Sequence, residues 1–173
     1  MKRFISILLI LGILLSLIGC SIRHTEVSRY GEFRNDAYHL CCELSVFPET
    51  IKSNWTVEDY QFWYEVLFWE LSYIYLNLTF ESAAEYESEL SRVSSIQGSY
   101  FDEDAVFVQD NENFACPAYI LCDDTLFFQY ILTVPDERRI VYIFTQYFPY
   151  ANDVKIPEQY LPQKKYTNII SYQ

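Results

Sequence analysis

Glycine is scarce in this chain, with only four in 173 residues, at positions 12, 19, 31 and 98. Phosphate-cradling loops of the GxGxxG or GxxxxGK[ST] kind need several glycines for close backbone approach, so nucleotide binding by those routes is excluded. Histidine is scarcer still: His24 and His39 are the only two. No His-Glu-x-x-His and no Gly-x-Ser-x-Gly is present, which leaves a zincin helix or an α/β-hydrolase elbow without support. Cations are few as well. Twelve Lys and Arg face 24 Asp and Glu, a formal net charge of −12. Nucleic acid attracts basic faces, so it is not the partner of such a chain. Aromatic residues, by contrast, are plentiful, with 16 Tyr, 13 Phe and 3 Trp.

One long apolar run exists, and it comes first. Lys2 and Arg3 precede Phe4–Ile18, and the run closes on Leu17-Ile18-Gly19-Cys20. A positive start, an apolar core of this length and a small residue at the end make up an export pattern. The closing tetrapeptide resembles the lipobox of bacterial lipoproteins. That resemblance implies cleavage before Cys20, a diacylglyceryl group on its sulfur, and a place on the extracytoplasmic face of the cell membrane. Two rivals are a retained transmembrane helix and a secreted protein with a coincidental Cys. Residues 4–19 would reach roughly 24 Å as a helix, short of the ~30 Å hydrocarbon core. Two acyl chains hold a protein stably, whereas one does so only marginally. Removing residues 1–19 takes away two of the cations and none of the acids, leaving a net charge of −14. A body that acidic is repelled by anionic head groups, so attachment must come from the lipid.

Cleavage leaves 154 residues, enough for one domain with its own core. Residues 20–37 are polar, mixed in charge and without sustained periodicity, and are expected to form a lipidated tether. Fully extended, Ser21–Asp36 reaches at most ~55 Å. The domain proper is expected over 38–150, with a loosely held tail at 151–173 that ends in an edge strand over 166–172. Leu40, Cys42, Leu44 and Val46 alternate within 38–47, predicting a strand that Pro48 ends. Val57, Tyr60, Tyr64, Leu67, Phe68 and Leu71 recur at helical spacing after Thr56, predicting a short helix near 56–67. Period two returns over 73–80, a strand. The main helix is predicted over 81–96, with Ala83, Tyr86, Leu90 and Val93 inward, Glu81, Glu85, Glu87, Glu89 and Arg92 outward, Ser82 as N-cap and Gly98 as the stop. Runs at 105–109, 118–122, 125–134 and 139–148, separated by short Asp- and Pro-containing turns, predict antiparallel hairpins. The fold class is therefore α+β: an antiparallel sheet of about five or six strands, with the 81–96 helix packed on one face.

Few residues carry a chemical signal. Cys41, Cys42, Cys116 and Cys122 remain after Cys20, and in an exported domain they allow disulfides. Cys41 and Cys42 point to opposite faces of a strand, so either would pair with Cys116 or Cys122, or those two with each other. Buried inert thiols are the competing reading, and zinc a weak third because no Cys-x₂-Cys pair exists. Acidic clusters at 102–104 and 110–113 do not follow an EF-hand loop and are read as solvated turns. His39 is read as a solvated strand histidine and His24 as part of the tether. Trp55, Trp63, Trp69, Tyr73 and Tyr75 are candidate binding aromatics, although such stripes usually belong to a core. The sequons at Asn54 and Asn77 are read as accidental. No catalytic residue, metal or cofactor is assigned.

The stretch Leu44-Ser-Val-Phe-Pro48, with Tyr75-Leu76 and Tyr86-Glu-Ser-Glu-Leu-Ser-Arg92, resembles uncharacterised Gram-positive lipoproteins of anaerobes, a likeness that implies no activity. The function expected from all this is a non-enzymatic binding or accessory role at the cell envelope, with a protein or glycan partner. The alternative is a small envelope hydrolase using an acidic or Cys/His site.

Overall fold

The computed structural model describes residues 20–35, 44–66, 70–96, 106–110, 114–123, 127–146 and 156–161. Within them the fold is α+β, built on one antiparallel sheet. The strands are β1 (Cys20–His24), β2 (Trp55–Val66), β3 (Glu70–Phe80), β4 (Val106–Asp110), β5 (Ala118–Asp123), β6 (Phe127–Val134) and β7 (Arg139–Gln146). They lie in the order β1-β2-β3-β7-β6-β5-β4, seven strands where five or six are expected. The helices are α1 (Tyr30–Arg34) and α2 (Ala83–Ser94).

Alternation decides which residues face which side. Ile74, Leu76 and Leu78 of β3 and Ile140, Tyr142 and Phe144 of β7 turn to one face, under α2, α1 and the 44–47 segment. Tyr75, Tyr130, Leu132, Val141 and Ile143 turn to the other face, where Phe114, Ile156 and Tyr160 cover them. The β6–β7 hairpin closes through a 3₁₀ turn at Pro135–Glu137, with Arg138 left-handed at φ 49°. Helix α2 begins at Ser82, whose Oγ accepts from the Glu85 amide at 3.2 Å. That satisfies one of the free N–H groups of its first turn.

Four expectations are corrected. Residues 55–66 form strand β2, not a helix near 56–67, and the cause is a bulge. The β2–β3 register shifts between Val57 and Asp59. Trp55 and Val57 therefore pack on the same face as Tyr60, Phe62 and Tyr64. The extra residue turns a spacing of two into a spacing of three, which imitates a helix. Residues 20–37 are not a free tether in their described part. β1 pairs with β2 from Cys20↔Val66 to His24↔Phe62, and Tyr30 and Phe33 are buried in the core. The described part of the expected tail, 156–161, is docked rather than loose, with Ile156 and Tyr160 both buried. Residues 44–47 of the strand expected at 38–47 form no strand. Its first half, the helix stop at Gly98 and the edge strand at 166–172 lie outside the described residues.

Candidate functional site

A concavity on the helix side of the sheet has a volume of about 530 Å³. Its walls are the second half of α2 (Ser88, Glu89 and Arg92) with Ser95 and Ile96 just beyond it, the 45–52 segment, Arg34 and Trp55. A smaller depression of about 390 Å³ shares Glu49, Thr50, Lys52 and Trp55 with it, and continues over Val27, Gly31 and Val57. Loop 49–52 is thus a ridge between two hollows.

Two guanidinium groups hold the segment that leads into it, 44–47. Arg34, at the end of α1, donates to the carbonyl of Leu44 at 3.1 Å. Arg92, on α2, donates to the carbonyl of Val46 at 2.7 Å and to that of Ser45 at 3.4 Å. From below, the Val46 amide donates to Gln129 Oε1 at 3.4 Å, and Tyr30 Oη donates to the Pro48 carbonyl at 2.5 Å. A segment without regular structure needs such partners for its backbone polar groups when it is buried.

Glu89 is the residue that helical patterning misplaces. It is expected outside but is only 6 % exposed. Its Oε1 accepts from Arg92 Nη2 at 2.7 Å and from Tyr142 Oη at 2.8 Å. Burial works against the charged Arg92, but the hydrogen bond and charge of Glu89 raise its pKa overall. Burial, reinforced by Glu89, pushes the Tyr142 phenol well above its ordinary value. The signal available in the sequence was Glu89 three residues before Arg92, a pair that meets on a helix surface. Nothing in the sequence placed Tyr142 beneath it.

The candidate aromatics fare differently. Trp55 lies in the cleft wall, buried, edge-on to Phe80 and with Lys52 Nζ 4.9 Å above its ring. Its indole nitrogen is buried without a hydrogen-bond partner among the described residues. Tyr73 and Tyr75, candidates for binding, are instead buried at 3 % and 1 % exposure, because the second face is also covered. Trp63 is half-buried against Tyr73, their centroids 5.4 Å apart. Trp69 lies outside the described residues.

Cys116 is a free thiol, half-buried beside the core of the second face. Cys41 and Cys42 lie outside the described residues. His24 packs on the helix side instead, stacked on Phe33 at 4.6 Å, and accepts from Arg29 Nη1. The described thiol and the described imidazole therefore belong to opposite faces of the sheet, and His39 lies outside the described residues. Among the described residues no three His, Cys, Asp or Glu side chains gather as a metal ion requires. Among them, too, no helix is long and apolar enough to cross a membrane. Compared with known proteins, the chain matches no family model, no curated protein and no solved structure.

Proposed function

We propose that this chain is a lipid-anchored extracytoplasmic binding module, held at the cell membrane through acylated Cys20, and that the cleft between α2 and loop 45–52 receives its partner. The observation that carries the reading is the charge of that cleft. Three of the chain's 12 cations, Arg34, Lys52 and Arg92, line it against two acids, Glu49 and Glu89, in a protein of net charge −12. Arg34 and Arg92 are engaged with loop carbonyls and Glu89, whereas Lys52 is exposed above the Trp55 ring. Ser45, Thr50, Ser88 and Ser95 add hydroxyls to the wall, and Phe47, Pro48 and Ile96 add apolar surface. A mixed wall of this kind suits a carboxylate-bearing segment of an envelope protein or glycan. The role is non-enzymatic: the one buried carboxylate of the cleft, Glu89, is occupied by Arg92 and Tyr142.

Capture from the native envelope tests this. Acylated wild type should co-purify a partner, and Lys52→Glu should lose most of it while melting at the wild-type temperature. A partner retained undiminished by Lys52→Glu would place the binding surface elsewhere. Turnover in a panel of envelope substrates would favour the hydrolase alternative.

A further inference from the structure

We infer that the domain stands on the membrane by one end of its sheet, the end that holds Cys20, and carries the cleft in its outward half. The inference rests on the lipid-anchor reading above and adds to it an attitude and a height. β1 opens at Cys20 itself, whose Cα partner is Val66, and Val66 pairs in turn with Glu70. Neighbouring strands lie about 4.8 Å apart, so acyl chains on Cys20 would hold the backbone of Val66 and Glu70 within about 10 Å of the lipid boundary. A flexible leash over residues 21–36 would allow drift of up to ~55 Å and free rotation. A hydrogen-bonded strand allows neither.

Height follows from strand length. β2 runs from Val66 back to Trp55 over 12 residues. At about 3.3 Å per residue, Trp55 stands roughly 35 Å from the anchored end. Trp55 lines the cleft at the pole that also bears the Phe80 end of β3, and the cleft runs from there to Glu89, which bonds to Tyr142 level with Leu76 in mid-sheet. Lying flat would bring a body of net charge −14 along an anionic surface, and like charge opposes that. The outcome is a cleft presented to partners arriving from the aqueous side, not to lipid.

Tryptophan quenching measures the attitude directly. The acylated full-length protein is placed in phosphatidylcholine–phosphatidylglycerol vesicles containing a lipid with a nitroxide on its head group. One form keeps only Trp63 (Trp55→Phe, Trp69→Phe) and the other only Trp55 (Trp63→Phe, Trp69→Phe). Trp63, three residues from Val66, should lose most of its emission while Trp55 keeps its own. Equal quenching, or stronger quenching of Trp55, overturns the inference. Intact mass separates this result from failure of the anchor. An acylated Cys20 with Trp55 quenched sinks the attitude alone, whereas an unmodified Cys20 sinks both readings. Wild type provides a measurement that needs no variant. Neutron reflectivity from a supported bilayer should show protein density beginning at the head groups, and a hydrated gap of tether width would contradict it.

Discussion

Glu89, Arg92 and Tyr142 meet where α2 crosses the sheet, and each depends on the other two. Tyr142 is fully buried, and its hydroxyl donates to Glu89 Oε1. Arg92, 37 % exposed, reaches over the same carboxylate and on to the Val46 carbonyl. Removing the guanidinium leaves a buried carboxylate and a loop carbonyl short of a donor. We expect Arg92→Ala to cost about 2–3 kcal/mol in urea unfolding, below the range for fully buried pairs because Arg92 is partly solvated. Tyr142→Phe should cost about 1 kcal/mol, and the two should couple in a double-mutant cycle. Glu87→Ala, two residues from Glu89 but exposed, should stay within about 0.5 kcal/mol. Trp55→Phe is a contrasting case. The smaller ring loses packing area but also removes a buried N–H without a partner, which itself costs about 1–3 kcal/mol, so the net change should be near zero. A loss as large as that of Arg92→Ala would mean that the indole nitrogen has a partner after all.

β3 and α2, each written in one uninterrupted period, were legible in the sequence, whereas β2, which breaks period, was not. β3 alternates cleanly over 73–80, and α2 carries its N-cap, its i,i+3 aromatic and its inward valine. The β5–β6 and β6–β7 hairpins follow from turn chemistry between β-rich runs. β2 was missed because its bulge imposes a helical spacing on 57–60. Segment 20–37 was missed for another reason: the core contribution of its described part is Ile22, Tyr30 and Phe33, spaced among polar residues that periodicity cannot weigh. Phe33 stacks on Phe62 of β2 at 4.2 Å and under His24 of β1 at 4.6 Å, so one ring joins α1 to two strands. Phe33→Ala should therefore cost about 3–4 kcal/mol in thermal or urea melts, as for other buried phenylalanines. A tether residue would cost nothing. The cleft was legible only in part, since Trp55 was singled out but Arg34, Lys52, Glu89 and Arg92 are brought to it by contacts between distant segments.

At the scale of the molecule, the abundance of tyrosine sets a limit on alkaline stability. Burial raises the pKa of Tyr30, Tyr60, Tyr75, Tyr130 and Tyr142, with Tyr75 pushed up to about 12 and partly held back by its hydrogen bond with Asn77. The sign follows from which state binds the proton. Below pH 10 these phenols are neutral folded or unfolded, and their burial is fully realised. Above it the unfolded chain releases protons that the folded chain retains, so stability falls as pH rises. Each phenol contributes about 1.4 kcal/mol per pH unit until its folded pKa is reached. Five together amount to about 7 kcal/mol per unit, against a typical domain stability of about 5–15 kcal/mol. The protein should therefore unfold cooperatively within one or two units above pH 10, with buried phenolate absorbance and loss of circular dichroism rising together. Tyr130 is fully buried and its hydroxyl donates to the Tyr160 carbonyl at 3.3 Å. Tyr130→Phe should therefore leave the fold intact and make the fall of stability with pH shallower by one proton. Phenolate appearing in the folded protein, ahead of any change in dichroism, would mean that water reaches the rings and that the two cores are less tightly closed than their burial implies.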